Sequence, residues 1–148
     1  MDYTKEIATL NDLIQTCRDG ENGFRTAAQG VKDQHLKALF ERFSRQRGEM
    51  VRELQQQVRA LGGTPDESGS VSASLHRGWM NIKSLVTGND DSAIIAEAER
   101  GEDVAKSAYQ KALSQNLPAG ARTLVEAHSA IVRTAHDEVR ALEKAHAR

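Results

Sequence analysis

A chain of 148 residues with 20 Lys and Arg against 21 Asp and Glu is long enough for one domain with its own core. Its net charge of -1 supplies no global field to attract nucleic acid or an anionic membrane. The single cysteine, Cys17, excludes an internal disulfide and a cysteine-based zinc module. With no charged-then-apolar leader and no apolar run long enough to span a bilayer, the expectation is a soluble, cytoplasmic, bacterial-type protein forming one domain over residues 1–148. Two prolines and an aromatic content of 4%, beside abundant Ala, Leu, Glu, Lys, Arg and Gln, give a helical composition.

The first segment, Thr4 to Val31, places Ile7, Leu10, Ile14, Cys17, Glu21, Phe24, Ala28 and Val31 at alternating steps of three and four. This is one stripe of an amphipathic helix, interrupted only by Glu21. A second helix is predicted from a cap at Asp33 to Leu61, with Leu36, Phe40, Phe43, Arg47, Met50, Leu54, Gln57 and Leu61 on the same rhythm and Arg47 as the interior interruption. "GGTPDESGS", Gly62 to Ser70, ends it in a loop. Leu75, Trp79, Ile82 and Val86 mark a shorter helix over Val71 to Val86, closed by "TGNDD" at Thr87 to Asp91. A third long helix is expected from Asp91 to Leu117, with Ile95, Ala98, Glu102, Ala105, Tyr109 and Ala112 in its seam and Ile94, Gly101 and Ala108 beside it. Pro118 suits the first position of a fourth long helix reaching about Ala145, whose stripe is Ala121, Val125, His128, Val132, Ala135, Val139 and Leu142.

Four amphipathic rods of roughly 26 to 30 residues, each about 40 Å long, bury their stripes best side by side. Short connections make the first and second helices antiparallel, and likewise the third and fourth. The long stretch between the second and third can carry the chain back along the bundle, so those two run parallel. In that layout Glu21 and Glu102 come to similar height and face each other, with Arg47 on the second helix and Val132 to His136 on the fourth at the same level. Buried carboxylates there require an arginine, a proton or a metal as partner. "GE" recurs as Gly20-Glu21 and Gly101-Glu102, and a glycine beside each carboxylate suggests close helix approach at this level.

The segments "DGENGFRTAA", "LGGTPDESGSVSASLHRGW", "EAERGEDVAKSAYQKAL" and "HDEVRAL" resemble the ferritin-like four-helix bundles, and within them a family of uncharacterised bacterial proteins. The resemblance implies an all-α, ferritin-like four-helix bundle whose long crossover carries a short extra helix between helices two and three. It leaves activity undefined. Di-iron members place a lone Glu on helices one and three and Glu-x-x-His on helices two and four. Glu21 and Glu102 match the lone positions, but helix two reads Arg47-x-x-Met50 and helix four Arg133-Thr-Ala-His136. Too few hard oxygen ligands remain for two iron ions.

Two readings of the polar level follow. In the first, Arg47, with Arg133, compensates Glu21 and Glu102 through charge-assisted forks, and Glu21, Arg47, Glu102, Tyr109, His128, Arg133 and His136 form a buried polar layer in place of a metal centre. In the second, an iron or manganese ion is held by Glu21, Glu102 and His136, with Glu49 or Glu99. His128 and His136 lie about 12 Å apart along one helix and cannot share an ion. Cys17 reads as an inert buried thiol, and Trp79 as a pin for the short helix. No catalytic constellation stands out. The leading expectation is a non-catalytic structural, interaction or stress-associated protein without cofactor, whose partner is a second copy or another protein. The rival is a metal-binding or oxidase-like protein.

Overall fold

The computed structural model describes residues 2–66 and 78–146, and the structure there is all α. Five helices occur among the described residues: α1 Thr4–Gly30, α2 Gln34–Ala60, α3 Ile82–Gly88, α4 Asp91–Leu113 and α5 Ala119–His146. Side-chain caps set several boundaries, because a helix start leaves backbone N–H groups without intrahelical acceptors. The Asp33 carboxylate accepts from His35 N and Leu36 N, and that of Asp90 from Ser92 N and Ala93 N.

Hydrogen bonds at the helix ends fix the directions. Asn11 Nδ2 near the start of α1 donates to Thr64 O beyond the end of α2, so these helices are antiparallel. Thr9 on α1 bonds Gln115, just past α4, at 2.5 Å. At the opposite end the Asp91 carboxylate of α4 accepts from Lys32 N and Asp33 N in the α1–α2 turn. Ser92 Oγ donates to His146 O and makes α4 and α5 antiparallel. Thus α2 and α4 begin at the same end, and the connection between them must return along the whole length.

Three boundaries differ from the periodicity. The third long helix stops at Leu113 rather than Leu117, and the Arg122 guanidinium caps the released carbonyls of Leu113 and Gln115. Pro118 precedes α5 instead of opening it, its carbonyl accepting from Arg122 N at 2.8 Å. The connecting helix begins at Ile82, leaving Trp79 in a turn, and runs through Thr87 to Gly88. The start expected at Val71, like Glu67 to Ser70 of the loop, lies outside the described residues.

Apolar side chains form two clusters. One includes Leu10, Ile14, Cys17, Met50, Leu54, Ala105 and Val132; the other includes Phe24, Phe40, Phe43, Trp79, Ile95, Ala98 and Ala135. The break falls between Cys17 and Phe24, Phe43 and Met50, and Ala98 and Ala105. These are the turns that carry Glu21, Arg47 and Glu102.

Candidate functional site

Arg47 occupies a stripe position of α2, so helix geometry drives its guanidinium into the core, where burial without a partner would cost several kcal/mol. Glu102 on α4 supplies that partner. Arg47 Nη1 donates to Glu102 Oε1 at 2.7 Å and Nη2 to Oε2 at 2.6 Å, a two-bonded fork with both side chains almost fully buried. Burial works against the Arg47 charge, but the adjoining carboxylate outweighs it and raises the guanidinium above its ordinary value. The cation also lies 5.5 Å from the centre of the Phe24 ring. Gly20 makes room: a Cβ there would sit 3.1 Å from Arg47 Nη1.

A second polar series begins one turn away. Cys17 Sγ lies 3.1 Å from Tyr109 Oη, Tyr109 Oη 3.2 Å from His128 Nδ1, and His128 Nε2 2.9 Å from Glu53 Oε1. An ionised carboxylate can only accept, which assigns the protons along the series. His128 Nε2–H donates to Glu53, Tyr109 O–H donates to Nδ1, and the Cys17 S–H donates to Tyr109. Burial pushes the thiol up to about 11 and the phenol well above its usual range. Burial also lowers the His128 pKa, against the Glu53 carboxylate that favours its cation.

The buried imidazole makes stability depend on pH. Because folded His128 resists protonation, the unfolded chain binds more protons below about pH 6.5, and stability falls as the pH drops through that value. Glu53→Gln removes the group that supports the imidazolium and should steepen the loss. Urea midpoints between pH 7.5 and 5 check this; parallel profiles for wild type and variant would refute it.

A third arrangement holds the connector. Trp79 lies between α1 and α4, where a Cβ on Gly23 would be 2.2 Å from its Cδ2 and one on Gly101 2.2 Å from its Nε1. The turn before α3 is fixed by the buried Glu97, whose Oε2 accepts from Asn81 N at 2.5 Å and whose Oε1 accepts from Arg100 Nε at 2.9 Å.

A family model described as Domain of unknown function (DUF2383) matches residues 5–115, from the start of α1 through α4. The chain belongs to this family. No curated protein matches it. Cys17, Arg47, Trp79, Glu102 and Tyr109 of this DUF2383 chain lie inside the matched stretch, whereas His128 and His136 lie beyond it.

The structure brings together only some of the residues that the stripes single out. Arg47 meets Glu102, and Tyr109 meets His128. Glu21, expected to face Glu102, is half-buried and turns its carboxylate onto α2 over Gly48, where a Cβ would be 2.6 Å from Oε2. Both oxygens of Glu102 are engaged by Arg47, so the two carboxylates do not share the cation. Arg133 is exposed and stands outside the buried layer. His136 is buried but bonds Asp103 Oδ1 through Nε2 at 2.6 Å.

The metal set is dispersed for the same reasons. Glu49 is exposed, and Glu99 is paired with Glu143, where burial and that carboxyl neighbour raise its pKa. Among the described residues no three His, Cys, Asp or Glu side chains converge as a metal would require. The residues therefore do not fit a di-iron centre. Sequence reasoning missed Glu53, Glu97 and Asp103. Glu53 and Asp103 lie on helix faces that read as solvated; Glu97 had a signal, since it adjoins Ala98 and sits one turn from Ile94 and Gly101 on the packed side of α4.

Proposed function

We propose that this chain is a ferritin-like four-helix bundle in which an arginine–carboxylate pair takes the structural place of a di-iron centre. On this reading it is a small cytoplasmic, non-catalytic structural or interaction protein of bacterial, stress-associated type, working through protein partners or a second copy. The observation that carries the reading is the Arg47–Glu102 fork, which consumes the carboxylate that a metal would need. A guanidinium and a metal cation cannot both occupy that position. No helix among the described residues is long and apolar enough to cross a membrane, which accords with action in solution.

Elemental analysis of protein expressed with added iron and manganese tests the proposal. The expected result is far less than one equivalent of either metal. Stoichiometric metal in the wild type would overturn the reading, and its loss in Glu102→Gln would locate it at this carboxylate.

A further inference from the structure

The Cys17, Tyr109, His128 and Glu53 series has a chemical capacity that helix packing does not use. We propose that Tyr109 is a redox-active tyrosine: a one-electron oxidant outside the protein takes an electron from its phenol as the phenolic proton passes to His128. Cys17 then returns a hydrogen atom to the tyrosyl oxygen.

The geometry supplies each part of that step. Removing an electron from a phenol that keeps its proton would create a cation in a dry core, which is costly without compensation. His128 Nδ1 lies 3.2 Å from the phenol oxygen and accepts its proton, so the positive charge moves from the phenol to the imidazole, where the Glu53 carboxylate offsets it. The imidazole releases its Nε2 proton to Glu53, whose side chain is 54% exposed and passes it to water. The O–H bond of Tyr109 breaks, an N–H bond forms on Nδ1, and the electron reduces the external oxidant. Burial keeps both Tyr109 and Cys17 protonated at neutral pH, so the electron and proton leave the phenol together, and the thiol acts as an S–H donor rather than as a thiolate. In the second step the S–H bond breaks, the O–H bond re-forms, and the radical rests on Cys17 Sγ, 3.1 Å from where it began. This chemistry is independent of the proposal that the bundle lacks metal, and it needs none.

The full chain is oxidised with photogenerated ruthenium(III) tris-bipyridine, and radicals are followed by transient absorption and electron paramagnetic resonance. Tyr3→Phe is carried in every sample to remove the other of the two tyrosines. A tyrosyl signal should form in this background, disappear in Tyr109→Phe, and live longer in Cys17→Ala. Replacing the base, His128→Phe, should slow formation about a hundredfold, the low end of what a positioned base contributes. Glu53→Gln is a half-exposed change that leaves the core intact, and it should also slow formation. Equal radical yield with and without Tyr109 would overturn the proposal. So would an unchanged tyrosyl lifetime without Cys17, or an unchanged rate in Glu53→Gln.

Discussion

Arg47→Leu lowers the stability of the fold by about 3–5 kcal/mol, because it leaves the Glu102 carboxylate buried without a counter-charge. For a chain of this size each kcal/mol moves Tm by about 2–4 °C, so Tm falls by about 6–20 °C. The loss is large because Glu102 has no route to solvent: its side chain is 0% exposed and both oxygens depend on Arg47. Water could not replace the fork without opening the centre of the bundle, where both side chains are buried. The pair itself need not stabilise the fold, since desolvation of two ions offsets their attraction. Arg47→Met with Glu102→Leu should therefore recover most of the stability lost by either single change, giving a large coupling in a double-mutant cycle. Urea unfolding of the four proteins measures it. An Arg47→Leu protein that melts with the wild type would sink the account of the layer. A double variant that is stable but shows broadened side-chain resonances would assign the pair to fixing helix register rather than to stability.

The elements of this layer were legible to different degrees, for physical reasons. Arg47 and Glu102 stand out because each breaks a stripe of period 3.6, and a charge inside such a stripe can be read from spacing alone. Which carboxylate Arg47 takes could not be read in that way. Spacing places Glu21 and Glu102 at similar height, but the choice depends on how closely each helix approaches α2, and Gly48 lets Glu21 rest its carboxylate on the helix surface. The two "GE" dipeptides suggest close helix approach, but their glycines face inserted side chains: Gly20 makes room for the Arg47 guanidinium and Gly101 for the Trp79 indole. Trp79 also shows where periodicity misleads. Its spacing to Ile82 suits a helix, but Gly78 adopts φ +80°, a left-handed backbone that glycine tolerates and that a continuous helix excludes. Glu53 and Asp103 were invisible because an exposed charge has no periodic signature, and only the fold shows which buried histidine lies beneath it.

The connector's attachment gives the second large effect: Gly101→Ala displaces Trp79 and costs up to about 3–5 kcal/mol, the range for deleting a buried Phe or Trp side chain. A methyl group at Gly101 would lie 2.2 Å from both Cε2 and Nε1 of the indole, and one at Gly23 2.2 Å from Cδ2 on the other side. A ring held between two helix backbones cannot retreat from one without meeting the other. Phe24, whose ring centre is 4.9 Å away in an edge-on arrangement, limits movement into the core. The turn is equally constrained, since a Cβ on Gly78 would be 2.6 Å from Gly101 Cα. Relief must come by expelling the indole and loosening the segment that leads into α3. Because Trp79 is the sole tryptophan, its emission reports this directly: Gly101→Ala should shift it to the red and lower Tm, while wild type keeps the emission of a buried indole. Adding Gly101→Ala to Trp79→Ala should cost little more, since the group it collides with is already gone. A Gly101→Ala protein with buried-type emission and unchanged Tm would show that the indole does not lie between the two glycines. If the effects of the two changes added in full, Gly101 would instead act on stability through α4 itself.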